Sequence, residues 1–367
     1  MQNNHCVLSG KQFQSIMLGQ TFIKLTNQQE IHNRFQFQTG LNIDHIPLNP
    51  QGECQPGGIY FCLFEKLPLW LHYSLQPMYY VRLVTIPDDA EVYIEKNKFK
   101  ADKLILGERM PISELQIWTY LQYCLEAVKQ NGLALQYVKK QSPEICLEAV
   151  KQNGMALQYM RQQSQEICLA AVKQNGLALQ FAKEETPEIC LTAVKQDAWA
   201  IQYVKEQTPK ICLKAVKKNS FTIKYIKQQT PEICLLACQL DGVALQYVLK
   251  QTLEICLAAV KQNPYALKFV EQQTPEICLL ACQLDGIALQ FVKQQTPEIC
   301  LQAIKQSGCA LQFVRKQTEE MCLLACQLNG LALKYVEQQN EEICSAAIKQ
   351  NFMAFQYVRR NPSALLC

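Results

Sequence analysis

A 22-residue segment recurs through most of the chain, and it constrains the fold more than any other feature. Its copies align on one cysteine column without insertion or deletion, which gives eleven units in continuous register. The aligned residues are Cys124, Cys146, Cys168, Cys190, Cys212, Cys234, Cys256, Cys278, Cys300, Cys322 and Cys344. A fixed period of this size is typical of solenoids, in which each unit buries its apolar face against its neighbours.

Each unit carries two helix start signals. The first is a Ser or Thr that Pro and Glu often follow, as in Thr230-Pro-Glu. Ser and Thr are favoured N-cap residues, and Pro is favoured at the first helical position. The negative charge of Glu interacts favourably with the positive end of the helix dipole. The second lies eleven residues later, at Asn, Asp or Ser, as in Asn131. We therefore expect two helices of about nine or ten residues per unit, named A and B, which are too short to be stable without packing. The Gly that often follows the second signal, such as Gly132, is expected to let helix A stop and the chain turn.

Residues 1–118 follow a different pattern. Short alternating runs rich in β-branched and aromatic residues are separated by Pro, Gly, Asn and Asp, which indicates strands and turns. The predicted strands are residues 58–62, 79–86, 91–94 and 103–106, and a short helix is expected near residues 67–73. We predict an α+β N-terminal domain (1–118), an all-α solenoid of short helix-turn-helix repeats (119–361) and a C-terminal tail (362–367). The first unit lacks the Thr-Pro start and is expected to dock on the N-terminal domain.

Composition narrows the choices further. The net charge of +4 divides into −1 for residues 1–118 and +5 for the remainder, so neither part is a general polyanion binder. Successive stacked helices lie roughly 8 to 10 Å apart, beyond the roughly 7 Å Cα limit for a disulfide, so the cysteine column predicts free core thiols. The start of the chain does not read as a signal peptide, and no apolar run approaches the length of a membrane span. We expect a reduced, intracellular, soluble protein with no cofactor and no membrane contact.

From residue 230 the units alternate between two types. Every second unit contains Leu-Leu-Ala-Cys-Gln-Leu, which places leucines at i and i+4 on a helix A face that is polar elsewhere. These leucines, named the leucine stripe, are Leu236, Leu240, Leu280, Leu284, Leu324 and Leu328. Contiguous exposed apolar area usually marks an interface, with a protein partner or with a second copy of the chain. The alternative is that neighbouring units bury this face within the chain.

A second candidate surface lies on helix B, where one column is mostly glutamine. Its glutamines, named the glutamine column, include Gln136, Gln158, Gln180, Gln202, Gln246, Gln290 and Gln312. A solenoid presents such equivalent positions along one surface, so the column is a candidate for protein recognition, although polar columns also serve solubility alone. Together the two surfaces predict a non-enzymatic scaffold for protein interactions.

Metal binding and RNA binding are two other functions that the repeat sequence allows. The pairs Cys234/Cys238, Cys278/Cys282 and Cys322/Cys326 stand at i and i+4, but each offers two ligands where structural zinc uses four, so core packing is favoured. An RNA-reading array is the second alternative function, since helical repeats can read one base per unit. Its support is a lysine column at Lys129, Lys151, Lys173, Lys195, Lys217, Lys261, Lys305 and Lys349. A Glu near the start of helix A offsets this charge in nearly every unit and no aromatic ladder accompanies it, so nucleic acid is not favoured.

Two resemblances extend these predictions. The unit Ile-Cys-Leu-x-Ala-Val-Lys-Gln-Asn-Gly-x-Ala-Leu-Gln-Tyr-Val resembles a helical repeat catalogued as a domain of unknown function in giant amoebal viruses and some bacteria. Residues 35–42, 56–61, 86–93 and 100–106 resemble a module that mimivirus-type proteins place before ankyrin or other repeats. The resemblance implies a viral protein in the cytoplasm of an amoebal host. It brings no established activity, and no functional residue is carried over.

The first alternative function is a modifying enzyme in which the solenoid selects substrates. The strands of the N-terminal domain resemble those of ADP-ribosyltransferase-like folds, although neither the Ser-Thr-Ser strand nor the catalytic Glu of those enzymes can be placed. The residues to mutate first would be His32, Arg34 and Tyr60.

Overall fold

A computed structural model describes residues 7–32, 35–50, 55–73 and 76–359. The chain divides into two compact units, residues 1–184 and residues 185–367, which are described separately. The first unit contains a strand-rich N-terminal region and the first three repeats, and the second contains the other eight repeats. The predicted fold class is confirmed: an α+β region precedes an all-α series of short repeats. The division at residue 118 stays a prediction, and the predicted tail lies outside the described residues.

The N-terminal region is built on one antiparallel sheet, which has nine strands among the residues described. Its strands are β1 Val7–Ser9, β2 Phe22–Thr26, β3 Gly40–Ile43, β4 Ile59–Leu63, β5 Tyr80–Thr85, β6 Glu91–Ile94, β7 Phe99–Ala101, β8 Lys103–Leu106 and β9 Met110–Pro111. The strand order is β1-β6-β7-β4-β2-β5-β8-β3, with β9 also paired to β5. Two short ribbons join Ile31–His32 to Phe35–Gln36 and His72–Tyr73 to Gln76–Pro77. The four predicted strands are confirmed as β4, β5, β6 and β8.

A phenylalanine cluster fills the core of this region. Phe13 lies on helix α1 (Gly10–Ile16) and contacts Phe22, Phe61 and Phe99 of the sheet at ring centroid distances of 5.1 to 6.0 Å. Ser9 and Gln12 form a capping box that starts α1. The 3₁₀ helix Phe64–Trp70 stands close to the expected short helix.

Helix A of every repeat is a ten-residue α-helix, as the start signals predict. These helices are α2 Leu121–Gln130, α3 Pro143–Gln152 and α4 Gln165–Gln174 in the first unit, and α5 Pro187–Gln196, α6 Pro209–Lys218, α7 Pro231–Leu240, α8 Leu253–Gln262, α9 Pro275–Leu284, α10 Pro297–Gln306, α11 Glu319–Leu328 and α12 Glu341–Gln350 in the second. In α3 the apolar residues that stand at helical spacing, Ile145, Cys146, Ala149 and Val150, are buried.

Helix B differs from the prediction of nine or ten residues, because it is a six-residue 3₁₀ helix. These helices are Gly132–Tyr137, Gly154–Tyr159, Gly176–Phe181, Ala198–Tyr203, Ser220–Tyr225, Gly242–Tyr247, Pro264–Phe269, Gly286–Phe291, Gly308–Phe313, Gly330–Tyr335 and Phe352–Tyr357. The backbone groups at the end of helix B bond to a side chain of the preceding repeat. The amide of Glu271 donates to Gln251 Oε1 at 3.0 Å, and the carbonyl of Phe269 accepts from Gln251 Nε2 at 2.9 Å.

This glutamine bridge recurs at the same position of the repeat. The bridging glutamines are Gln141 and Gln163 in the first unit, and Gln207, Gln229, Gln251, Gln273, Gln295, Gln317 and Gln339 in the second. The cysteine five residues later also donates to the amide oxygen, as Cys256 Sγ does to Gln251 Oε1 at 3.6 Å. The cysteine column thus combines core packing with a weak hydrogen bond to the bridge.

The glycine at the start of helix B serves close packing rather than the expected turn. Gly132 lacks a positive φ, so it is not a left-handed helix stop. A Cβ on Gly286 would lie 2.3 Å from the carbonyl oxygen of Ala303 in the next repeat. In the same place the Gly286 amide donates to Gln306 Oε1 at 2.6 Å. Glycine therefore allows helix A of the next repeat to approach closely. The glutamine at the end of that helix accepts a hydrogen bond from the glycine amide.

The first repeat contacts the N-terminal region, as predicted. Trp118 is buried and donates to the carbonyl of Ile112 at 2.8 Å, and its ring stacks on Tyr137 at 5.3 Å. Asn131 Nδ2 donates to the carbonyl of Pro68 at 2.8 Å. The first repeat is therefore packed against the N-terminal region of the same unit.

We expect Gly286→Ala to lower stability by about 1–3 kcal/mol, because its Cβ would clash with a backbone oxygen. The matched control is Gly308→Ala, whose Cβ would lie 2.7 Å from the Ala325 oxygen and whose amide has no glutamine opposite it. Its loss should be smaller. Urea unfolding midpoints measured by circular dichroism check this, since repeat arrays can depart from two-state behaviour. An equal or larger loss for Gly308→Ala would contradict the packing role.

A second prediction concerns helices that end in Leu instead of Gln. Leu328 lies opposite the Gly308 amide, so Leu328→Gln supplies an acceptor there; Leu284 lies opposite Pro264, which has no N–H to donate. The two leucines are equally exposed, at 46% and 44%. Leu328→Gln should therefore be more stable than Leu284→Gln by about 0.5–1.5 kcal/mol. Equal unfolding midpoints would show that the amide to glutamine bond contributes nothing.

Candidate interaction surface

The leucine stripe is partly exposed in the second unit. The last leucine of each pair is close to half exposed, at 47% for Leu240, 44% for Leu284 and 46% for Leu328. Its partners one turn earlier, Leu236, Leu280 and Leu324, are half-buried. The fold therefore covers part of this face and leaves three large apolar side chains at its edge, one in every second repeat. Their role in binding stays a prediction.

These leucines occupy a position that has a structural role in other repeats. The equivalent residue is the glutamine that accepts from the glycine amide of the preceding repeat, as Gln262 does from Gly242 at 2.6 Å. Leu328 has no acceptor for the amide of Gly308, so this bond is absent there, and the leucine is 46% exposed. Packing within the chain alone gives little reason for leucine there.

The glutamine column is already engaged by its own repeat. In each of its members the side-chain amide donates to the carbonyl three residues earlier, as Gln246 Nε2 does to Val243 at 3.1 Å. The bonds of Gln136, Gln158, Gln180, Gln202, Gln290 and Gln312 are equivalent. The bond fixes the side chain and occupies one amide proton. A partner could use the exposed amide oxygen at low entropic cost, since the side chain is already ordered.

The structure adds two apolar residues that the sequence reasoning missed. Leu249 is 76% exposed and Leu253 is 48% exposed, and they flank the start of α8 close to Leu240 in the sequence. A signal was present, because the residue equivalent to Leu249 is charged in every other repeat, as in Lys227 and Glu271. We add both leucines to the candidate surface.

The lysine column is exposed, and part of it is paired. Lys129 Nζ lies 2.9 Å from Glu126, and Lys151 Nζ lies 2.8 Å from Glu148. One repeat stands apart: residues 208–229 contain six Lys and no Asp or Glu. Lys224 of this repeat lies 4.7 Å from the ring centre of Tyr225 and within 6.0 Å of two further aromatic rings. Positive charge is therefore concentrated in one repeat.

The paired cysteines lie in the core. Cys238, Cys282 and Cys326 are fully buried. The first cysteine of each pair belongs to the cysteine column and is buried as well. Burial, followed by the neighbouring Cys234 and Cys256, raises the pKa of Cys238 to about 12. Such thiols stay protonated at neutral pH and act as small apolar side chains.

Two of the residues proposed for an enzyme come together. His32 and Tyr60 both line a cavity of about 100 Å³ beside the sheet of the N-terminal region. Burial, together with the charges of Lys24 and Lys98, lowers the pKa of His32 to about 4. Arg34 lies outside the described residues. At neutral pH His32 is thus uncharged.

Every helix of the part of the chain that the structure describes is short, and none has the length and apolar character needed to cross a bilayer.

The chain is similar to known proteins and to one family model. Relatives occur in Acanthamoeba polyphaga mimivirus. The uncharacterized protein R869 is 32% identical over 109 residues, which are 28% of this chain and 76% of that protein. Two proteins named for ankyrin repeats, R868 and R229, are 29% and 30% identical over 112 and 116 residues, 29% and 27% of this chain. The chain covers 54% of R868 and 36% of R229, about half or less of their length. No solved structure matches the chain.

The repeats themselves match one family model, described as a domain of unknown function, DUF4116. Seven overlapping segments match it: residues 121–165, 142–187, 164–208, 186–230, 230–273, 274–317 and 318–361. They cover more than half of the chain and all eleven units. The chain therefore belongs to the DUF4116 family of repeat proteins.

Proposed function

We propose that the chain is a non-enzymatic scaffold that binds a protein partner, of the host or of the virus, through the surface of its repeats. The observation that carries the proposal is the exposure of leucine at 44–47% in every second repeat from Leu240 to Leu328, where the intervening repeats have Gln. The mimiviral relatives, two of them named for ankyrin repeats, support a place in the cytoplasm of an amoebal host.

The energetics suggest how large the contact has to be. Burying a leucine fully contributes about 1.5–3 kcal/mol, so three half-exposed leucines offer a partner roughly 3 kcal/mol together. Micromolar affinity requires about 8 kcal/mol. The partner must therefore contact more of the surface, and Leu249, Leu253 and the glutamine column are further candidates.

The alternatives make different use of the same molecule. Self-association would bury the leucine stripe against a second copy. An RNA-binding array would rely on the lysine column, to which Lys261, Lys305 and Lys349 belong. An enzyme would act through the N-terminal cavity. One set of variants of the full chain separates these functions.

The test is affinity capture from a lysate of infected amoebae with three full-length baits, analysed by mass spectrometry. They are the native chain, the triple variant Leu240→Gln, Leu284→Gln and Leu328→Gln, and a control triple variant Lys261→Gln, Lys305→Gln and Lys349→Gln. Each substitution in the first variant installs the glutamine that the following repeat has at that position, Gln262, Gln306 or Gln350. We expect a protein that the native chain and the lysine control retain and the leucine variant loses at least tenfold.

Each other outcome contradicts the proposal in a defined way. Equal capture by all three baits would show that the stripe is not the binding surface. Sedimentation that shows a dimer lost only in the leucine variant would assign the stripe to self-association. Capture of RNA lost with the lysines, or a covalent change in a captured protein, would support one of the two alternative functions.

A further inference from the structure

The cavity of the N-terminal region has an unusual combination of walls. It is lined by Phe37, Phe61 and Trp70, by the aliphatic Ile23, Leu25 and Ile31, and by three nitrogen bases, Lys24, Lys98 and His32. No Asp or Glu is among its described lining residues. Lys98 Nζ lies 3.3 Å from Glu95 Oε2, which balances its charge. The ammonium of Lys24 is the positive charge that meets apolar surface with no carboxylate among the cavity's described lining residues. Its volume of about 100 Å³ holds roughly seven to ten water-sized atoms.

Lys24 is the centre of this arrangement. It lies on β2 with only 6% of its surface exposed, and its Nζ lies 4.6 Å from the ring centre of Phe37. Among the described residues, no carbonyl or carboxylate oxygen accepts a hydrogen bond from this ammonium group, and none forms an ion pair with it. A smaller adjoining cavity of about 30 Å³ includes Asp44. The oxygens of Asp44 accept instead from the amides of Ile46 and Gly58.

Other buried cations of the same sheet are satisfied. Arg82 donates to both oxygens of Glu30, at 2.8 and 3.0 Å. Lys100 donates to the carbonyls of Asn49 and Gln55, both at 2.9 Å. A buried charge without such partners is costly to the fold. Lys24 is the exception within the described sheet, and the cavity in front of it is where a counter-ion would fit.

We propose that this cavity binds a small organic carboxylate whose apolar body packs on the aromatic walls and whose charged end contacts Lys24. The ammonium supplies the charge and the donors that a carboxylate requires. Phe37, Phe61 and Trp70 supply surface for a flat or branched body of roughly seven to ten heavy atoms. The site is independent of the repeats and of the scaffold function.

Protonation gives the site a pH dependence. Burial lowers the pKa of Lys24 to about 8, while the nearby Cys62 thiol acts in the opposite direction. The other titratable groups among the cavity's described lining residues are His32, Lys98, Tyr60 and Cys62. Mainly because of burial, the pKa of His32 is lowered to about 4 and the pKa of Cys62 is raised to about 12. Neither His32 nor Cys62 changes charge between pH 7 and 9. The carboxylate should therefore bind more weakly as the pH rises through about 8 and Lys24 loses its proton.

The test uses benzoate as the probe and benzamide as its neutral match, with calorimetric titration of the full chain. The variants are Lys24→Met, which keeps the length of the side chain and removes the charge, and Lys11→Met as an exposed control. We expect benzoate to bind the native chain and the control at least tenfold more tightly than it binds Lys24→Met. Benzamide should bind all three weakly, and benzoate affinity should fall between pH 7 and 9.

Thermal unfolding of the free proteins separates this role from a structural one. Since Lys24 is a buried charge with no hydrogen-bond or ion-pair partner among the described residues, Lys24→Met should keep or raise the unfolding temperature. A marked loss of stability would show that the lysine supports the fold and would overturn the proposal. Equal benzoate affinity in the native chain and Lys24→Met, equal affinity for benzamide, or no saturable benzoate binding to the native chain would overturn it as well. Saturable binding of inorganic phosphate without binding of benzoate would also overturn the proposal, because the site would then take a different class of anion.

Discussion

A glutamine side chain that joins consecutive repeats is the interaction on which the rest of the array depends. Its amide donates to the last carbonyl of the next helix B, and its oxygen accepts from the amide two residues later. A single side chain thereby satisfies two backbone groups that a continuing helix would have bonded internally, which stabilises the end of helix B. At position 185 a glutamate stands in place of the bridging glutamine and forms only part of the bridge. Glu185 still accepts from the Lys205 amide at 3.0 Å and adds an ion pair with the Lys205 side chain, although a carboxylate cannot donate to the carbonyl.

The second constraint is the distance between neighbouring A helices. Where helix B begins with Gly and the next helix A ends with Gln, the backbones touch, and a Cβ would lie 2.2 to 2.4 Å from an oxygen. Where the next helix ends in Leu, helix B begins with Ser220, Pro264 or Gly308, and the glutamine contact is absent. The 44-residue period of the sequence is therefore an alternation of two kinds of contact between repeats. The leucines that interrupt the tighter contact are also those left half exposed, which connects the packing of the array to the surface that we propose for binding.

Much of this organisation could be predicted from the sequence, because the repeat shows each position eleven times. The boundaries of helix A followed from Thr230, Pro231 and Glu232 and their equivalents, and the buried face followed from Ile, Cys, Ala and Val at helical spacing. The glutamine bridge could not be predicted, since a polar residue between helices reads as a solvent-exposed loop position until its contacts are known. The glycine was assigned to a turn because its neighbour in space, the Ala303 carbonyl, is distant in the sequence. In the N-terminal region, helix α1 and strands β1, β2, β3, β7 and β9 were not predicted, although Ser9 and Gln12 carry a capping signal for α1. The isolation of Lys24 depends on contacts that no local pattern encodes.

The most direct test of this account is hydrogen exchange at the backbone amides that donate to the bridging glutamines, those of Leu249, Glu271, Lys293 and Arg315. Their side chains are exposed and they follow the end of a helix, so without the bridge they would exchange like an open loop. The account predicts protection comparable to that of the neighbouring A helices, and loss of protection at Lys293 in Gln273→Ala. Fast exchange at these amides in the native chain, or unchanged protection at Lys293 in that variant, would contradict the claim that glutamine bridges hold the repeats in register.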